Sequence, residues 1–324
     1  MVRAVARSTI VVVAAFVGIV YLLTHALTSS ARESTVYVVT PTYDRLTRFA
    51  DLLQVGQALQ LASLDTNVLW IVVEDSNELD RAVAHLLNEL GVPHVYFSHQ
   101  QTRAGPHRGV DQRNAALDLI KSRQQSGKPD AGGPVYFLDD DNAIRSRLVT
   151  SLAKLPRDTY TVFHVGNQGY FGLEGPVVDN VRKRGGDGKI VQWCCDLCRR
   201  RWNVDMAGFA FHSSLLLPSA SASVKSLLSG RHIKFSQASE AGFLETDLLS
   251  AIEQSSQAQL VLSKTLLETV HVWHDSSAQF DKATYYDADW VTTGLFKLRP
   301  NTTNQVVRGF DWADDDLPSA RWID

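Results

Sequence analysis

Val135-Tyr136-Phe137-Leu138 runs straight into Asp139-Asp140-Asp141-Asn142. A short apolar run with β-branched and aromatic members predicts a buried strand. Three adjacent carboxylates at its end repel one another unless something balances them. A hard divalent cation bound together with a diphosphate would do so, since such cations take oxygen ligands. A solvated acidic turn is the other reading. Asp314-Asp315-Asp316 serves as an internal control. It lies between Phe310-Asp311-Trp312-Ala313 and Leu317-Pro318, follows no apolar strand, and is expected to hold nothing.

The elements that must position the first triplet alternate between strand and helix. Strands are predicted at 35–40, ended by Pro41-Thr42-Tyr43, at 68–73, ended by Glu74-Asp75-Ser76, at 95–97 and at 135–138. Helices are predicted at 48–64, at 79–90 with Gly91 closing it, and at 112–121. Such alternation predicts a parallel sheet with helices on both faces, whose ligands sit at the carboxyl ends of the strands. Three of those ends are polar. Residues 121–134 read as an exposed loop. Beyond the triplet the pattern is mixed: strands near 160–165 and 204–211, a helix near 245–253 and a strand near 270–273. No Gly-x-Gly-x-x-Gly or phosphate-loop lysine motif is present, which argues against a dinucleotide or P-loop site.

From Ser8 to Ala31 there is no Lys, Arg, Asp or Glu. The apolar run has the length of a spanning helix, and Arg3 and Arg7 before it place the N-terminus in the cytosol. A cleaved signal peptide, with Ser29-Ser30-Ala31 near its end, is the alternative. Either way the remainder faces a lumen or the outside. A net charge of −3, with 44% hydrophobic and 21% charged residues, gives no case for nucleic acid. The basic runs Arg182-Lys183-Arg184 and Arg199-Arg200-Arg201 read as solvated loop faces. The three cysteines, Cys194, Cys195 and Cys198, are too few for a zinc site without a nearby histidine and are expected to be structural. Asn301-Thr302-Thr303 is a glycosylation sequon at Asn301.

Several blocks occur together and in order: Val39-Thr40-Pro41-Thr42-Tyr43, Val73-Glu74-Asp75-Ser76, Arg108 to Leu117, Val135 to Asn142, Glu174-Gly175-Pro176, Val204 to Ala210, Leu244-Glu245-Thr246 and Val272-Trp273-His274. On these the chain resembles the β-1,3-glucuronyltransferases, inverting enzymes anchored in the Golgi membrane. The resemblance implies an α/β, GT-A-like nucleotide-sugar fold with a mixed, mainly parallel sheet behind one transmembrane helix. It divides the chain into a cytoplasmic tail (1–8), a signal-anchor (9–28), a short stem (29–34), a UDP-sugar-binding half (35–142) and an acceptor-binding half with a C-terminal tail (143–324). It implies transfer of glucuronate from UDP-glucuronate to the 3-hydroxyl of a terminal galactose on a glycan or proteoglycan linker, in a type II Golgi protein with a luminal catalytic domain. A homodimer is left open.

Residue by residue, Glu245 matches the catalytic base and Asp141 the ligand of Mn²⁺. Pro41, Tyr43, Asp75, Arg108, Arg113, Asp139, Asp140 and His274 match donor contacts. Glu174, Arg200 and Asp205 match acceptor contacts. Without the resemblance, Asp75 reads as the N-cap of the helix at 79–90, Arg113 as a surface ion pair, and Glu245 as an ordinary first-turn glutamate.

The chain departs from the family at two places. The family has an arginine two residues past the histidine, whereas this chain reads His274-Asp275-Ser276-Ser277. That removes a charge-assisted contact worth about 1.5–3 kcal/mol, for which Lys282 is a candidate substitute. The cysteine segment is also unlike the family, and Arg200 is flanked by Arg199 and Arg201 in a loop of different spacing. These departures keep open another UDP-sugar donor on the same fold, or a catalytically weak Golgi scaffold protein.

Overall fold

The computed structural model describes residues 34–101, 109–127, 132–166, 172–179, 188–194, 200–217, 233–255, 257–274 and 319–323. The chain divides into Met1–Glu33 and Ser34–Asp324, and all that is described belongs to the second unit. The predicted tail, anchor and most of the stem lie outside the described residues. So do Arg108, Cys195, Cys198, Asp275, Lys282, Asn301, the Asp314–Asp316 run, Arg199 and the basic run at 182–184. Among the described residues no helix is long and apolar enough to cross a membrane.

The first half follows the predicted alternation. Strands β1 (Val36–Thr42), β2 (Val68–Glu74), β3 (His94–Ser98) and β4 (Pro134–Phe137) are separated by helices α1 (Arg48–Ala62), α2 (Arg81–Leu90) and α3 (Val110–Gln125). These four strands pair in parallel, β1 lying between β2 and β4. Val36 to Val39 and Val135 to Leu138 are fully buried. Near-continuous apolar runs of this kind suit strands covered on both faces.

Pro41 does not end β1, which runs on through Thr42. The β4 ladder stops with Leu138 N–H donating to Val39 O at 2.9 Å. On that side the missing N–H of Pro41 therefore faces no strand, and a central strand tolerates the proline. Helix α2 starts at Arg81 rather than 79, because Asp80 is its cap: the Asp80 carboxylate accepts from Ala82 N–H at 2.8 Å. The capping alternative for Asp75 is thereby overturned. Helix α3 starts two residues earlier than predicted and runs on to Gln125, into the segment read as loop.

The second half carries β5 (Asn142–Ile144), α4 (Ser146–Leu152), β6 (Thr159–Val162), β7 (Val165–Gly166), the hairpin β8 (Leu173–Asp179) and β9 (Gly188–Cys194), β10 (Phe209–His212), α5 (Leu244–Glu253), β11 (Gln259–Leu262), α6 (Lys264–Leu267), β12 (Val272–His274) and β13 (Ser319–Trp322). The strands form one sheet in the order β3-β2-β1-β4-β10-β6-β11-β13-β9-β8-β7-β12-β5. The sheet is mixed, as expected, but not mainly parallel. Among the described residues six pairings are parallel and six antiparallel, because the second half adds hairpins and reversals to its parallel pairs. The strand predicted at 160–165 is split into β6 and β7. That at 204–211 is shortened to β10, preceded by a 3₁₀ turn at Met206–Gly208. One apolar core, with residues from Val36 through Val272, runs through both halves.

A buried arginine ties the strand ends together. Arg48, 2% exposed at the start of α1, donates from Nη1 to Glu74 at 2.8 Å and from Nη2 to Asp80. Tyr96 OH donates to the other Glu74 oxygen at 2.5 Å. Burial holds the Glu74 carboxyl above its ordinary range, with Tyr96 and Arg48 pulling it down. Replacing Arg48 with Met strands two carboxylates, and breaking a buried pair this way costs about 3–5 kcal/mol. A carboxyl whose folded pKa is raised stabilises the fold only while it is protonated, and that contribution is lost as pH rises through the raised value. The R48M penalty, read by chemical denaturation, is therefore expected to be largest at pH 8 and to shrink toward pH 4. The R48M/E74Q pair should recover part of it. A pH-independent loss below about 1 kcal/mol would contradict the network's role.

Candidate active site

The carboxyl end of β4 gathers the triplet, and its three aspartates go different ways. Asp139 accepts from Arg113 Nη2 in a short ion pair. Asp140, 5% exposed, accepts on Oδ2 from Thr42 Oγ1 at 2.7 Å and from Arg45 Nη1 at 2.6 Å. Arg45 Nη2 also reaches Asp51 at 2.8 Å. Among the described residues no hydrogen bond or ion pair reaches Asp141. Burial and the neighbouring Asp139 charge push its carboxyl up to about 6. The triplet is therefore not a solvated turn: two of its aspartates pair with arginines, and the third makes no pair and meets His274 and Arg45 only through longer-range attraction.

Among the described residues no three His, Cys, Asp or Glu side chains converge as a ready cage for a metal ion. A single unpaired carboxylate is nevertheless a donor set that Mg²⁺-like hard cations use. They are held by one or two carboxylates, with phosphate and water completing the shell. The residues present fit a cation bound jointly with a diphosphate.

The segments around the triplet are brought in by the sheet. Strand β12 pairs antiparallel with β5 so that His274 stands opposite Asn142. His274 Nδ1 lies 3.8 Å from Asp205 Oδ2. Asp205 caps the 3₁₀ turn by accepting from Ala207 N–H at 2.9 Å. Tyr136 OH in β4 donates to Ala207 O at 3.1 Å, fixing that turn over the strand end. Burial raises the Asp205 carboxyl, opposed by His274.

On the neighbouring strand ends, Asp75 accepts from Gln101 N–H at 2.8 Å. Tyr43, 39% exposed, has the Arg45 guanidinium 5.2 Å from its ring centroid. Gly109 precedes α3 at φ +74°, where a Cβ would lie 2.6 Å from Arg113 Nη1 and 3.3 Å from Pro41 Cγ. A side chain there would be strained and would push Arg113 off Asp139.

Glu245 sits in the first turn of α5, its side chain 15% exposed. Arg200 links it to Glu174: Arg200 Nη2 donates to Glu174 at 2.6 Å, Nη1 donates to Gly242 O at 2.5 Å, and Nη1 lies 3.7 Å from Glu245 Oε2. Thr246 Oγ1 donates to Trp202 O at 2.7 Å, tying the helix start to the Arg200 segment. Burial, then the Asp205 charge, push the Glu245 carboxyl up to about 7, against a hydrogen bond to its own backbone and the pull of Arg200 and Arg113. A carboxyl poised near neutrality can take a proton from an incoming hydroxyl.

The structure thus joins Glu174, Arg200 and Glu245 in one chain of contacts, and Asp205 with His274 and the triplet in another. Arg113 is a buried partner of Asp139 rather than a surface pair. Cys194 is buried, with Sγ 3.3 Å from Leu173 O. Sequence reasoning gave no role to Arg45, nor to Thr42 and Asn114, although both of these fall within its motif blocks. Their partners lie 95, 98 and 121 residues away, and no local pattern reveals such pairings.

The class of protein that carries this strand end is shown by the comparisons with known proteins. The family model for Glycosyltransferase family 43 matches residues 56–278, and the chain belongs to that family. It is 26% identical over 246 residues to galactosylgalactosylxylosylprotein 3-beta-glucuronosyltransferase P of Drosophila melanogaster, covering 74% of this chain and 45% of that protein. It is 29% identical over 255 residues to the human enzyme numbered 2, covering 77% and 71%. It is 34% identical over 237 residues to the human enzyme numbered 3, covering 67% and 63%. The chain thus spans about half the length of the Drosophila relative. Among solved structures, S. aureus TarS aligns over 75% of this chain and 37% of its own at 15% identity and a TM-score of 0.42, a likeness too distant to carry functional information.

Proposed function

We propose that the chain is an inverting glucuronosyltransferase of GT-A type, moving glucuronate from UDP-α-glucuronate to the 3-hydroxyl of a terminal galactose on a glycan or proteoglycan linker. The observation that carries this is the poised Glu245, tied through Arg200 to Glu174. The acceptor O3–H gives its proton to Glu245. O3 forms its bond to C1 of glucuronate on the face opposite UDP. The C1–O bond breaks with its electron pair going to the β-phosphate, so one displacement inverts α to β and no covalent enzyme intermediate is needed.

In this reading Glu174, Arg200 and Asp205 hold the acceptor sugar. Asp75 takes the uracil N–H and Tyr43, beside Pro41, supplies a stacking face. Arg108 meets the glucuronate carboxylate or diphosphate as a bidentate partner, and Arg113, whose Nη2 already holds Asp139, adds its charge on the donor side. Asp139 and His274 line the donor side, and Asp140, held by Arg45 and Thr42, keeps the triplet in register. Asp141 would hold Mn²⁺, which supplies charge neutralisation at the diphosphate when bound. Residues 35–142 serve the donor and 143–324 the acceptor. The uncharged run from Ser8 to Ala31 supports a type II Golgi membrane protein with this domain in the lumen.

A donor panel of UDP-glucuronate, UDP-xylose, UDP-galactose and UDP-N-acetylglucosamine, offered with Mn²⁺ and galactosyl acceptors, tests the assignment. UDP-glucuronate should give the highest kcat/KM. The absence of an arginine at position 276 favours a second reading, another UDP-sugar on the same site, and a different best donor would establish it. Mn²⁺-dependent UDP binding without turnover on any donor would instead point to a scaffold.

A further inference from the structure

The side chain of Asn114 in helix α3 holds the backbone of the chain leading to α5. Asn114 donates from Nδ2 to Phe235 O at 3.0 Å, and Phe235 N–H donates to Asn114 Oδ1 at 2.9 Å. Both amide functions are thus spent on the N–H and C=O of a single residue, as a neighbouring strand would do it. Phe235 is 5% exposed. Its ring meets Phe137 of β4 edge-on at 5.0 Å and lies 6.0 Å from the Arg113 guanidinium. Lys234 adds an exposed ion pair to Asp118, one turn further along α3, at 2.7 Å.

From Phe235 the chain makes two turns, closed by Ser239 N–H to Ser236 O at 3.2 Å and Phe243 N–H to Glu240 O at 3.0 Å, and enters α5. Its far end is held by Arg200 at Gly242 O, where φ is +80°. Residues 235–242 therefore form a strap fastened at both ends. One fastening stands beside Arg113, next to the acidic triplet. The other stands three residues before Glu245.

We infer that Asn114 is a positioning residue: its two bonds to Phe235 register the α5 N-terminus, and with it Glu245, against the helix that carries Arg113. The inference rests on Glu245 being the base. Neither Asn114 nor Phe235 touches a reacting atom in it. Their effect falls on where the base stands when the donor is bound, because a misplacement of about 1 Å can lower a rate by about 100-fold.

The test uses the full chain carrying N114A, which keeps a good helix former in α3, and N114D, which keeps the acceptor for Phe235 N–H and loses the donor. Hydrogen exchange of residues 235–243 is expected to quicken about tenfold or more in N114A and less in N114D. Under saturating UDP-glucuronate and Mn²⁺, kcat should fall about 10–100-fold in N114A, with the donor KM within about twofold of the parent and N114D in between. Unchanged exchange in N114A overturns the clamp. Quickened exchange with kcat unchanged, or with the loss confined to donor KM, overturns the positioning role. A parent chain that transfers nothing defeats the base assignment, and with it the inference, whatever the exchange shows; the exchange arm then still says whether the clamp itself exists.

Discussion

Glu245→Gln is expected to lower the transfer rate by about 10²–10⁴-fold, the span that a positioned general base contributes, while leaving UDP affinity within about threefold. The parent rate should rise tenfold per pH unit up to about 7 and flatten above it, because the carboxyl is held at about 7 by burial and by Asp205 and must be ionised to act. E245Q should show no such limb. The same shift has a stability consequence of definite sign. A carboxyl whose folded pKa lies above its unfolded one stabilises the fold only while it is protonated, and that contribution is lost as pH rises through 7. E245Q should therefore be more stable than the parent at pH 8, by about 3 kcal/mol, and equal to it at pH 4. Lower activity with higher stability in one substitution is the mark of a group kept buried for chemistry rather than for the fold. A variant that loses both activity and stability at pH 8 would identify Glu245 as a structural partner of Arg200.

Asp141→Asn carries the other large effect. Asp139 and Asp140 already have arginine partners, so removing either charge leaves a cation without its counter-ion and is expected to weaken the local fold. Asp141 makes no such pair, and its removal should leave folding intact. If it holds a cation that neutralises several kcal/mol of developing charge, transfer should drop on the order of 10²–10³-fold. The Mn²⁺ concentration for half-maximal rate should rise by an order of magnitude or more. Thermal stabilisation by Mn²⁺ with UDP should disappear in D141N and persist in the parent. Unaltered Mn²⁺-dependent stabilisation of D141N would remove Asp141 from the metal site.

The parts of the fold that a local pattern controls are legible in the sequence. Apolar runs gave β1, β2 and β4, and their polar ends marked where ligands would collect. The triplet stood out because a buried strand preceded it, and Glu245 stood out only within its block. What could not be read depends on pairs far apart in the chain. Strands of three or four residues, such as β5 and β11, are too short for a period to show. The pair of β8 and β9 carries a proline at Pro176 and slips register between Val177 and Val178, leaving Val191 of β9 without an opposite residue, so it alternates poorly. Arg45 reads as a loop cation until Asp140, 95 residues on, is seen beside it. Asn114 reads as one more polar residue on a helix until Phe235 arrives.

The account turns on a single displacement assisted by Glu245. Its most direct test mixes the purified chain with UDP-glucuronate, Mn²⁺ and a β-galactoside acceptor, and determines the product linkage by proton NMR. A β-1,3-linked glucuronide from the parent, absent with E245Q at the same protein concentration, is the result predicted. An α-linked product, or equal product from parent and E245Q, would contradict it.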